Sequence, residues 1–131
     1  MKGWAACLYA DLMAEQRDVR PAALRSPAEL AAVKLKTQQV EARYRHHDGN
    51  GRRVNLDPGY VDPLKVVLAS TKNANQRIYL DHGIYAEATL FYHSGGFHGL
   101  PYTYADYLGS GTLAFLARLR AVYLEQLRRA G

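Results

Sequence analysis

Hydrophobic and polar positions along the 131-residue chain change period several times, and each change marks an element. Trp4, Leu8, Leu12 and Met13 stand at helical spacing, whereas residues 19–24 contain a proline and no clear period. The start therefore predicts a short helix followed by an extended link. Ser26-Pro27-Ala28-Glu29 is a sharper signal. Serine at the N-cap, proline at the first helical position and glutamate at the third satisfy the orphan amides of a helix start, predicting a helix over 27–45. Leu30, Val33, Thr37, Val40 and Tyr44 form its inward stripe, with Lys34, Glu41, Arg43 and Arg45 on the solvated face. The turn His46-His47-Asp48-Gly49-Asn50-Gly51 ends it.

Beyond that turn, residues 52–56 predict a short strand stopped by Asp57-Pro58-Gly59. Residues 64–70 fit two elements. Asp62-Pro63 caps a short helix with Leu64, Val67 and Leu68 inward, while Val66 and Val67 suit a strand; the cap favours the helix. Residues 77–80 and 84–92, joined by Asp81-His82-Gly83, predict a β-hairpin. Alternation places Ile84, Ala86, Ala88 and Leu90 on its core side, and Tyr85, Glu87, Thr89 and Phe91 on the other. Gly95-Gly96 turns the chain into an irregular stretch with Tyr102, Tyr104 and Tyr107. Gly109-Ser110-Gly111 then introduces a last helix whose Leu113, Leu116, Leu119, Val122, Tyr123 and Leu127 form a wide apolar face. The expected architecture is one α+β domain over 1–131: a small antiparallel sheet built on the 77–92 hairpin with 52–56 beside it, and both helices packed on one face.

Composition narrows the class of protein. A chain that is 48% hydrophobic and 22% charged is neither disordered nor collagenous. No apolar run nears the roughly 18 residues of a membrane span, and the stretch 4–10 meets Asp11 too soon for a secretory leader. A lone cysteine, Cys7, makes no internal disulfide, so a soluble cytoplasmic protein with no membrane partner is expected. The net charge of +5 concentrates at +4 over 34–53 and +3 over 118–131, both helical and without interleaved aromatics. Such charge is more often the wet face of a helix than a phosphate-binding patch, so nucleic acid stays the weakest partner reading.

The chain carries no nucleophile elbow, phosphate loop, dinucleotide glycine pattern or paired-histidine zinc helix. His93 and His98 flank a tight turn that can bring them together, but a strand separates them from His82 by roughly 30 Å, so no specific metal site is expected there. The polar residues Asn55, Asp57, Lys72, Arg77, Tyr79, Tyr85 and Glu87 fall instead on adjacent short elements, with Arg77, Tyr79, Tyr85 and Glu87 on one hairpin face. If that face meets Asp57, a cleft holds carboxylates, cations and phenols. Three readings follow. The leading one is a binding domain for a small polar or anionic ligand, as a monomer or homodimer. The second is a divalent-metal-assisted hydrolase, with Asp57 and Glu87 as ligands or as acid and base and Lys72 and Arg77 holding a phosphate or carboxylate. The third is a nucleic-acid binder using the basic helices. Cofactors and catalytic residues are not specified by these positions.

Asn55-Leu56-Asp57-Pro58-Gly59-Tyr60, Ala69-Ser70-Thr71-Lys72, Arg77-Ile78-Tyr79-Leu80, Gly83-Ile84-Tyr85-Ala86-Glu87 and Tyr102-Thr103-Tyr104-Ala105-Asp106-Tyr107 together form a specific string. In these words the chain resembles the bacterial and archaeal proteins grouped as domain of unknown function 4416, from about Ser26 to Tyr123. Gln76 and Ala105 stand where the family pattern tends to have histidine and proline, and Met1 to Arg25 does not reproduce the family's start, which implies a shortened or N-terminally divergent member. The resemblance implies kinship and leaves the activity open.

Overall fold

The computed structural model describes residues 5–10, 24, 26–43 and 56–130, the first six by their backbone. Its elements are β1 (Ala5–Ala10), α1 (Leu30–Arg43), β2 (Leu56–Val61), β3 (Lys65–Ser70), β4 (Arg77–Asp81), β5 (Ile84–His93), β6 (Gly96–Gly99) and α2 (Ser110–Ala130). The strands form one antiparallel sheet in the order β1-β2-β3-β5-β4. β6 pairs with the end of β5 through Leu90↔Gly99 to His93↔Gly96, and β4 pairs with its start through Arg77↔Glu87 and Tyr79↔Tyr85. β4 and β6 therefore share one edge of β5, end to end.

The expected N-terminal helix is instead strand β1, paired with β2 from Ala5↔Val61 to Ala10↔Leu56. Four helically spaced apolar residues are a weak local preference, and the ladder that completes the edge of β2 overrides it. The capping box does form: Ser26 Oγ accepts from Ala28 N at 3.2 Å and Glu29 Oε2 from Ser26 N at 3.1 Å. One 3-10 turn, Pro27–Glu29, leads into α1. The turn expected at 46–51 lies outside the described residues.

Two further expectations change at β2 and β3. Asp57-Pro58-Gly59 does not stop a strand; it lies within one. Glycine is required there, because a Cβ on Gly59 would sit 2.4 Å from the Val67 carbonyl oxygen. The β2–β3 ladder ends at Gly59↔Leu68, one residue short of Pro58, which has no N–H to donate. Residues 65–70 are a strand, not a capped helix. The cap chemistry is real, but it closes a hairpin turn: Asp62 Oδ1 accepts from Leu64 N at 2.7 Å and Lys65 N at 2.9 Å, and Asp62 N donates to Lys65 O at 3.0 Å. The β4–β5 turn is as expected, with His82 and Gly83 both at positive φ (51° and 77°) as a two-residue hairpin turn requires.

The α+β class stands, but the helices, expected together on one face, divide between the two faces of the sheet. Alternate residues of β3 show this. Val67 and Ala69 pack with Leu30 and Ala31 of α1 and with Ile84, while Val66 packs with Phe115, Leu116 and Leu119 of α2 and with Val61, Leu90 and Phe97. A β-bulge at Val66/Val67 opposite β5 moves β5 across. Ile84 and Ala86 face α1, whereas Leu90 faces α2, so the uniform alternation expected for β5 breaks and Thr89 is buried.

Candidate functional site

Helix α1 buries a different stripe from the one its valines suggested. Leu30, Ala31, Lys34, Thr37 and Glu41 are inside, and Val33 and Val40 only half-buried. Lys34 (4% exposed) and Glu41 (3%) were expected on the wet face. A buried ammonium needs an anion, and Lys34 Nζ finds Asp57 Oδ1 at 3.8 Å on β2. Thr37 Oγ1 also donates to the Lys34 carbonyl at 2.8 Å, tying the stripe together.

Asp57 and Ser70 lie just past the end of the β2–β3 ladder, where a cavity of about 420 Å³ opens. Lys34 and Asp57 form one wall, and Leu68 and Ala69 contribute apolar surface. Ser70, Thr71 and Lys72 form a second wall with Arg77 and Glu87 of the hairpin. Tyr104, Asp106 and Tyr107 close the third.

The second wall is held by a hydrogen-bonded arginine. Arg77 Nε donates to Glu87 Oε1 at 2.9 Å, and its Nη1 donates to Ser70 Oγ at 3.0 Å and to the Lys72 carbonyl at 2.9 Å. Ser70 Oγ accepts in addition from Lys72 N at 3.1 Å, which folds the Ser70-Thr71-Lys72 bend around the guanidinium. Glu87 accepts also from Gln76 Nε2 at 3.0 Å and Thr89 Oγ1 at 3.3 Å. Its side chain is 9% exposed and that of Arg77 13%, so this cross-strand pair is largely desolvated.

The third wall is positioned through the gap that β4 and β6 leave on the edge of β5. There the Tyr102 hydroxyl donates to the Ala88 carbonyl, and Thr103 Oγ1 donates to the Thr89 carbonyl at 2.7 Å. Burial, and secondarily the Glu87 charge, hold the Tyr102 phenol above its ordinary pKa of 10.0. The 3-10 turn Ala105–Leu108 follows from this anchor and carries Asp106 and Tyr107 to the cavity.

Four of the expected site residues, Asp57, Lys72, Arg77 and Glu87, line the cavity together. Tyr79 and Tyr85 do not. They share the Arg77/Glu87 face but pair edge to face, with ring centroids 5.4 Å apart, further toward the hairpin tip. Asn55 lies outside the described residues. Lys34, Ser70, Tyr104, Asp106 and Tyr107 were absent from the expected site; Lys34 had been placed in solvent, and only the motif words around Ser70 and Tyr104 marked the others. His93 and His98 do meet, stacked at 4.0 Å with planes 19° apart, and His98 Nε2 lies 3.0 Å from the His93 carbonyl. Stacked rings turn faces, not lone pairs, to each other. Among the described residues no three His, Cys, Asp or Glu side chains converge as metal ligands.

No helix among the described residues is long and apolar enough to cross a membrane. A family model described as Domain of unknown function (DUF4416) matches residues 8–123, and the chain belongs to that family. The match begins ahead of Ser26, taking in part of β1. No curated protein and no solved structure matches the chain.

Proposed function

We propose that this family member is a binding domain for a small polar or anionic ligand, held in the cavity between the ends of β2 and β3, the start of the β4–β5 hairpin and the Ala105–Leu108 turn. The observation that carries the reading is Arg77. Three hydrogen bonds fix its guanidinium at the wall of a cavity whose volume is in the range of small-molecule sites. Orientation set before binding lowers the ordering cost of recognition. Lys72 adds positive charge, and Ser70, Thr71, Tyr104 and Tyr107 add hydroxyls beside the apolar surface of Leu68 and Ala69. Ligand sites combine a few convergent polar groups with apolar lining in this way.

The same contacts favour binding over metal-assisted hydrolysis at Asp57 and Glu87. Both Glu87 oxygens already accept from protein donors, and Asp57 faces the Lys34 ammonium. The nucleic-acid reading loses part of its charge: Lys34 is buried, and Arg128 and Arg129 both pair with Glu125. The test is to purify the intact chain at low salt, release any retained small molecule by denaturation and identify it by mass spectrometry. Lys72→Met should lose that molecule while keeping the wild-type fold by circular dichroism. A wild-type protein that retains nothing, and gains no thermal stability from phosphate, from simple mono- and dicarboxylates or from amino acids, would rule the reading out.

A further inference from the structure

Charge pairing within the cavity narrows the class of ligand, and this step rests on the binding reading above. Lys34 faces Asp57, and Arg77 bonds Glu87, so two cations and two carboxylates compensate each other within the wall. Two lining charges remain. Lys72 offers its backbone N–H and carbonyl to the Ser70–Arg77 bend, and its ammonium has no partner among the described residues. Asp106 gives its carbonyl to Thr112 Oγ1 at 3.4 Å, and its carboxylate has no partner among the described residues. The first stands on the bend after β3 and the second on the turn before α2, so they reach the cavity from different walls.

We infer that the ligand is zwitterionic: a small molecule with an anionic group for Lys72 and an amino or other cationic group for Asp106. A simple anion would satisfy Lys72 and bring its own charge toward the Asp106 carboxylate. A simple amine would meet the reverse conflict with Lys72. A molecule carrying both signs meets each side chain with its opposite charge and opposes neither, which is discrimination by repulsion as well as by attraction. The hydroxyls of Thr71 and Tyr104 line the same space.

The experiment uses the intact chain at low salt and matched probes: ω-amino acids of three to six carbons, the carboxylates of the same length without the amine, and the amines without the carboxylate. Melting temperature is read for wild type, Lys72→Met and Asp106→Asn, each against its own unliganded baseline. The expected result is a rise of about 4 °C for at least one amino acid at roughly ten times its Kd, exceeding the rise from either matched probe. Asp106→Asn should respond equally to the amino acid and its carboxylate, and Lys72→Met to neither. If wild type answers carboxylates as strongly as amino acids and Asp106→Asn changes nothing, the site takes anions only. The zwitterion inference then fails while the binding reading survives. If no probe stabilises wild type and no retained molecule is found, both fail.

Discussion

Replacing Glu87 by glutamine separates two accounts of the Arg77–Glu87 pair. On an exposed sheet such a cross-strand pair contributes about 0.2 to 1 kcal/mol. Here both side chains are largely out of water, with Arg77 Nε 2.9 Å from Glu87 Oε1. Removing one partner of a buried pair commonly costs about 3 to 5 kcal/mol, because the other charge is left uncompensated. Glutamine softens this. Its carbonyl can still accept from Arg77 Nε and Gln76, its amide can donate to the Thr89 hydroxyl, and Arg77 keeps Ser70 Oγ and the Lys72 carbonyl. What is lost is the charge, so the expected cost is about 2 kcal/mol. Urea denaturation should show this as a lower midpoint at unchanged slope. Arg77→Met alone and combined with Glu87→Gln completes a cycle, in which the double variant should lose at least about 1 kcal/mol less than the two single losses added. A Glu87→Gln loss below about 0.5 kcal/mol, the ordinary scatter of surface substitutions, would refute the argument that burial makes this pair matter.

Ser26→Ala should cost about 1 kcal/mol in urea denaturation, since it removes the oxygen that accepts from Ala28 N; no measurable change would mean that the cap does not anchor α1. Gly59→Ala should cost at least about 2 kcal/mol, because its Cβ would meet a backbone carbonyl that cannot rotate aside, and wild-type stability in that variant would contradict the close β2–β3 approach. For Tyr102 the expectation is a pH profile. Its phenol titrates higher folded than unfolded, so its contribution is full below the unfolded value of 10.0 and is lost as pH rises through the folded one. The stability gap between wild type and Tyr102→Phe, about 1 kcal/mol at neutral pH, should therefore close above about pH 10; a constant gap would show that the phenol is not the responsible donor.

What could be read from the chain alone was what is decided within a few residues. The capping box joins Ser26 to Glu29, and the β4–β5 hairpin follows from alternation around His82-Gly83; both are side chain and backbone chemistry across a single turn. The elements that differ from the sequence expectation depend on partners far away in sequence. β1 exists because β2 has an edge to fill, and neither its composition nor its spacing announces that edge. Asp62 displayed real capping chemistry, yet the same side chain caps a helix or closes a hairpin turn, and only the pairing of Tyr60 with Val67 and Val61 with Val66 decides between them. A third of the cavity lining was legible for a similar reason. Arg77 and Glu87 share a face by simple alternation, whereas Asp106 arrives through hydrogen bonds from Tyr102 and Thr103 to carbonyls on β5.

Lys34 shows why the site lies where it does. A lysine on a helix that must cover a sheet is ordinarily kept wet, because burying an ammonium costs several kcal/mol unless an anion meets it. Among the described residues Asp57 is an anion it meets, on β2 just past the point where the β2–β3 ladder stops at Gly59↔Leu68. A residue that continued the ladder would close the opening through which α1, on one face, shares a wall with the Ala105–Leu108 turn before α2, on the other. Proline at 58 and glycine at 59 thus act together: the glycine lets the strands approach closely, and the proline supplies no donor to extend their pairing. The cavity is the space left where the sheet stops being continuous, and its charged lining comes from both layers that the sheet otherwise keeps apart.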